Sequence, residues 1–132
     1  MNVIDKVAFL YLMDGKILST RSKGKDKYYI PGGKREANET DLETLVREVK
    51  EELSVDIIES SARFYGIFEA QAHGKAEGVT VKMTCYTADF TGELKADSEI
   101  AEIVWLTTND IESVSPVDKL IFADLHEKGL ME

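Results

Sequence analysis

Three glutamates, Glu48, Glu51 and Glu52, stand at positions i, i+3 and i+4 of a segment whose other residues repeat with helical spacing. On a helix such carboxylates share one face and repel one another by a few tenths of a kcal/mol per pair, so they need a positive partner. Hard divalent cations supply one: Mg²⁺ takes oxygen ligands, keeps several waters and binds through a few carboxylates together with substrate phosphates. A glycine pair, Gly32-Gly33, precedes the segment, and Glu39 stands at its entrance. The chemistry this set could perform is neutralisation of a polyphosphate and activation of a water against phosphorus. Taken alone, the cluster also reads as an ordinary solvated acidic face.

The elements that must hold these residues follow from the apolar pattern. Residues 40–53 form the first expected helix, with Thr40 and Glu43 as a capping box. With Glu48 at zero on a wheel, Leu42, Leu45, Val46, Val49 and Leu53 fall between roughly 60° and 160°, facing a core. Glu43, Arg47 and Lys50 fall on a solvated face, and the three glutamates on a third. Ahead of the helix, residues 3–13 form an apolar run broken by Asp5 and Lys6. Asp14-Gly15 is a hairpin turn, residues 16–20 a second strand, and Tyr28-Tyr29-Ile30 a third strand stopped by Pro31-Gly32-Gly33. After the helix, residues 55–58, 62–72, 79–90 and 100–106 carry strand-forming residues. Pro116 opens a closing helix with apolar positions Val117, Leu120, Ile121, Ala123 and Leu125. Two helices around a mixed sheet make an α/β or α+β protein without the alternation of a doubly wound fold.

Composition narrows the partners. The 132 residues suit a single domain spanning 1–132, and a net charge of −9 disfavours nucleic acids and anionic membranes. An acidic protein that handles anionic small molecules needs cations as bridges. The single cysteine, Cys85, and the lack of a basic leader or an apolar membrane-length run point to a reducing, cytoplasmic setting.

The spacing Gly33, five residues, Glu39, seven residues, Arg47-Glu48-Val49, one residue, Glu51-Glu52, one residue, Ser54-Val55 resembles the Nudix box, G-x5-E-x7-R-E-U-x-E-E-x-G-U with U aliphatic. All specified positions match except the last glycine, which is Ser54. The resemblance implies an α/β fold, a Nudix-type α/β/α sandwich with a mixed β-sheet, in which the box forms a loop–helix–loop. It implies that Glu48, Glu51 and Glu52 hold Mg²⁺, with Mn²⁺ able to substitute, and that the Gly33 carbonyl and Glu99 are further ligands. Arg47 would orient a carboxylate, Glu39 would brace the box, and Val49 and Val55 would anchor it. The general base is Glu48 or Glu52, left open. Ser54 puts the exit of the helix in doubt, because a left-handed backbone costs a serine about 1 kcal/mol.

The implied activity is Mg²⁺-dependent hydrolysis of a nucleoside diphosphate linked to another group, a nucleoside triphosphate or modified relative by preference. Cleavage of ADP-ribose or a dinucleoside polyphosphate, or nucleotide binding without turnover, are the alternatives. A homodimer is compatible with the resemblance, although no interface can be read from the residues. For the substrate, Arg21 is the candidate phosphate contact and Tyr28 the candidate stacking residue. Phe68 and Tyr86 could also stack, but such strand aromatics are more often core. His73 on its glycine-flanked loop and His126 read as surface residues, and Cys85 as a buried, unreactive thiol.

Overall fold

A computed structural model describes residues 2–132. Its strands are β1 (Val3–Leu10), β2 (Leu12–Met13), β3 (Lys16–Ser22), β4 (Gly32–Lys34), β5 (Asp56–Ile57), β6 (Arg63–Gln71), β7 (Thr80–Thr87), β8 (Phe90–Thr91) and β9 (Ile100–Leu106). Its α-helices are α1 (Asp41–Leu53) and α2 (Pro116–Glu127), with 3₁₀ turns at Glu59–Ser61 and Thr108–Ser113. One mixed sheet has the order β4-β1-β7-β6, a second sheet the order β2-β3-β9, and β5 pairs with β8. β1 runs parallel to β7 and antiparallel to β4, which makes the first sheet mixed.

β1 is the strand on which the arrangement turns. Successive strand side chains point to opposite faces. Val7 and Phe9 pack with Leu45, Val49 and Leu53 of α1. Ala8 and Leu10 pack with Ile121, Phe122 and Leu125 of α2. The sheet is therefore clamped between helices, as the α/β/α expectation requires, and the long apolar run of β1 reflects burial on both faces.

Three local expectations change. Tyr28-Tyr29-Ile30 is no strand; it makes only single bridges, Tyr29 to Thr20 and Tyr28 to Val114. The strand lies just beyond, where Gly32 and Gly33 pair with Ala8 and Val7. A side chain on Gly32 would strike the Val7 carbonyl, so glycine is needed for the backbones to approach. Residues 79–90 split into β7 and β8. On α2, Leu120 and Ala123 are exposed, whereas Asp118 and Phe122 are buried.

Candidate active site

α1 starts where the sequence places it. Thr40 accepts the Glu43 N–H at 3.1 Å, and the Glu43 carboxylate accepts the Thr40 N–H at 2.9 Å. The far end is held at Ser54, which adopts a left-handed conformation (φ 65°, ψ 23°) and donates its N–H to the Lys50 carbonyl. The serine thus keeps the backbone of the glycine it replaces. Its hydroxyl donates to the Lys95 carbonyl at 3.0 Å.

Between these ends α1 presents its acids to β4. Glu52 accepts the Gly32 N–H at 3.1 Å and is only 7% exposed. The Glu48 carboxylate lies against the backbone of Gly33, in space that a side chain at that position would fill. The segment before β9 joins them because the N–H groups of Lys95 and Asp97 donate to the carbonyls of Leu53 and Glu52, at 2.9 and 3.1 Å. Glu99 is thereby carried to the same cavity, of about 430 Å³, that Glu48, Glu52, Gly32 and Gly33 line.

Arg47 organises the entrance. It donates to both Glu39 oxygens at 2.8 and 2.9 Å, to Glu48 at 3.1 Å, to Glu51 at 3.4 Å and to the Lys34 carbonyl at 3.0 Å. A guanidinium can do this because its donors fan out in a rigid plane. Arg47 is therefore gathered into the site, and its side chain is 24% exposed, instead of lying on the solvated face that the wheel assigned it. Glu51 is the member of the acidic triplet that the structure turns outward: it is 49% exposed and does not line the cavity.

The electrostatics follow from these partners. The Arg47 guanidinium, helped by the Glu36 N–H, pulls the Glu39 carboxyl down to about 2. Burial raises Glu48 above the usual carboxylate range in spite of Arg47. Burial pushes Glu52 up to about 8; the Gly32 N–H opposes this, and the charges of Glu48 and Glu99 add to it. A cation beside Glu48, Glu52 and Glu99 would relieve that crowding.

This donor set fits a hard divalent ion. It offers only carboxylate and carbonyl oxygens, and the glycine backbone at Gly33 leaves the Glu48 carboxylate room against it. Among the described residues no three Asp, Glu, His or Cys side chains stand close enough together to hold a metal ion by themselves. An ion here would need waters or substrate oxygens to complete its shell.

Neither expected substrate contact reaches the cavity. Its wall takes Thr20 and Ser22 from β3, while Arg21 between them donates to Glu102 at 3.3 Å. Strand alternation is the reason. The Tyr28 hydroxyl donates to the same Glu102 at 2.9 Å, and it is Tyr29 that lines the cavity. Phe68 packs on the core, the Tyr86 hydroxyl donates to Asp41, and neither lines the cavity. His73 does reach the rim, with its ring 3.7 Å from Asp26. His126 is exposed and bonds the Met131 carbonyl. Cys85 is buried, which pushes its thiol up to about 12.

The cations that do line the cavity, Lys6, Lys25, Lys34 and Lys75, were not singled out by spacing. One signal was available: Lys6 interrupts the apolar run of β1 at an even position, the face that carries Ile4 and the cavity. Ser115, the N-cap residue of α2, and the buried Asp118 left no sequence signal of this kind.

Residues 4–125 match the NUDIX domain. An uncharacterized Nudix hydrolase, YvcI, of Bacillus subtilis is 29% identical over 104 residues, which cover 76% of this chain and 64% of that protein. The chain thus spans less than two thirds of that curated relative's length. Among solved structures, the ORF135 protein of E. coli is 26% identical with a TM-score of 0.72, covering 96% of this chain and 92% of the other. A MutT protein of Methanosarcina mazei Go1 has a TM-score of 0.77 at 20% identity, covering 97% and 96%.

Proposed function

The chain belongs to the Nudix family, and from that premise we propose that it is a divalent-metal-dependent hydrolase of a nucleoside diphosphate linked to another group, by preference a nucleoside triphosphate. One observation carries this reading: Glu48, Glu52 and Glu99 converge with Gly33 on a cavity that is also lined by the exposed Lys25, Lys34 and Lys75. A protein of net charge −9 has thus concentrated lysines beside its acidic cluster, as a bound polyphosphate requires.

Mg²⁺ or Mn²⁺, held by Glu48, Glu52 and Glu99 with the Gly33 carbonyl, would neutralise phosphate charge and lower the pKa of a bound water. The remaining work falls to the chain. Arg47 fixes Glu48 and lowers its basicity by pairing with it. Glu52, tied through one oxygen to Gly32, lines the cavity beside Glu48 and is within reach of a water at the ion. We assign it the proton of the attacking water. Lys25, Lys34 and Lys75 are exposed side chains able to follow the phosphates of a ligand entering from solvent. Glu51, outside the cavity, helps to hold Arg47.

The test is a panel of nucleoside di- and triphosphates, ADP-ribose and dinucleoside polyphosphates, incubated with Mg²⁺ and with Mn²⁺. Separated products show which bond breaks. Metal-dependent release of a nucleoside monophosphate and pyrophosphate from a triphosphate supports the reading. Tight nucleotide binding without product over hours would replace it with a non-catalytic module.

A further inference from the structure

The acidic end of the cavity holds the groups that handle phosphates. The other walls are Ile4, Ile30, Ala72, Val81, Met83 and Val117, an apolar surface of the kind that takes a flat ring. Lys6 lies between the two regions. On β1 it is opposite Lys34 of β4 and Met83 of β7, and Ile4 precedes it on the same face.

Lys6 is half-buried, and among the described residues its ammonium makes no hydrogen bond or ion pair; Asp118, Glu48 and Glu52 act on it only through their charge. Ser115 lines the same cavity and is 3% exposed; its hydroxyl makes no well-formed hydrogen bond, although it lies beside the buried Asp118 carboxyl, whose Oδ1 is likewise unpartnered. The Ser115 hydroxyl has therefore lost water without gaining a well-formed hydrogen bond, and the Lys6 ammonium is partly desolvated and unpaired, costs that a ligand can repay.

Their chemistry restricts that ligand. An ammonium only donates, whereas a hydroxyl both donates and accepts. Together they complement a carbonyl oxygen beside an N–H and oppose an amino group facing the ammonium. The apolar walls on either side of this floor suit a neutral ring with a polar edge better than a phosphate.

We infer that Lys6 and Ser115 read the base of the substrate and select bases with a keto oxygen beside a ring N–H, such as guanine, hypoxanthine and uracil, over adenine and cytosine. This rests on the nucleotide-hydrolase reading above, and it makes Lys6 a specificity-determining residue.

Calorimetric binding of GMP, IMP, UMP, AMP and CMP to the wild type, Lys6→Met, Lys6→Gln and Ser115→Ala tests it without turnover. The wild type should bind the keto nucleotides about tenfold or more tightly than the amino ones. That ratio should collapse to about twofold in Lys6→Met and survive in part in Lys6→Gln, whose amide still donates, and in Ser115→Ala. Thermal melts identify any unfolded variant, and Lys6→Gln and Ser115→Ala then carry the comparison. A wild-type ratio near one overturns the inference, as does a ratio unchanged by Lys6→Met. Equal weakening of all five ligands by Lys6→Met also overturns it, because Lys6 would then serve the phosphate. Hydrolysis of triphosphates without keto preference sinks this inference alone. Neither binding nor hydrolysis of any nucleotide sinks the functional reading with it.

Discussion

Arg47 joins residues from three places, Glu39 before the helix, Glu48 and Glu51 on it, and the Lys34 carbonyl of β4. A lysine there is a single point charge and could serve only part of this fan. Arg47→Lys is expected to reduce kcat by about 10- to 100-fold, the usual range for residues that orient metal ligands, while the circular dichroism spectrum stays native. Glu52→Gln keeps the acceptor for the Gly32 N–H but removes the base, so turnover should fall by about a hundredfold or more with the fold intact. Near-normal steady-state rates in that variant would move the chemistry to another residue. Glu48, Glu52 and Arg47 could be placed together in advance because their spacing is set by one helix. Arg21 lies outside the cavity because neighbouring residues of a strand face opposite ways, and Tyr28, in the bridged segment before β4, turns its hydroxyl to Glu102 while Tyr29 lines the cavity; spacing alone does not say which side meets the cavity. Glu51 falls outside the cavity for a related reason: a helix face is broad, and its edge lies in solvent while its centre is buried.

At the scale of elements, α1 is bounded by two short-range devices with separable energies. Thr40→Ala removes the acceptor for the Glu43 N–H and should cost about 1 kcal/mol in chemical denaturation. Ser54→Gly relieves a left-handed serine worth about 1 kcal/mol but gives up the exposed hydrogen bond to Lys95. A small net gain in melting temperature with unchanged kcat is the expected outcome, and a loss of stability would mean that the hydroxyl matters more than the backbone. The capping box could be read in advance because it is a local code. β4 could not, because Gly32 and Gly33 carry no strand propensity and pair only where β1 is near enough to exclude side chains. The split between β7 and β8 likewise depends on partners, since β8 joins β5 instead of the main sheet.

For the whole molecule, burial of Asp118 links stability to pH. Its carboxyl is raised from 3.8 to about 7, with burial as the main cause and the Ile30 N–H opposing. Across that window the native chain keeps a proton that the unfolded chain has released. Stability is therefore full below the unfolded value and declines as pH climbs through about 7. Glu52 adds a decline of the same sign up to about 8 in metal-free protein. Asp118→Asn should roughly halve the decline of the denaturation midpoint between about pH 4.5 and 7 and leave the part that Glu52 carries up to about 8; an unchanged profile would locate the titration elsewhere. The sandwich itself was legible from the order of apolar segments, whereas Asp118 and Phe122 on α2 became visible only with the packing partners that bury them. The alternation along β1 has one more result. Its odd positions grip α1 and its even positions 4 and 6 floor the cavity. A library randomised at those two even positions should therefore alter what the chamber accepts without disturbing the packing that holds α1.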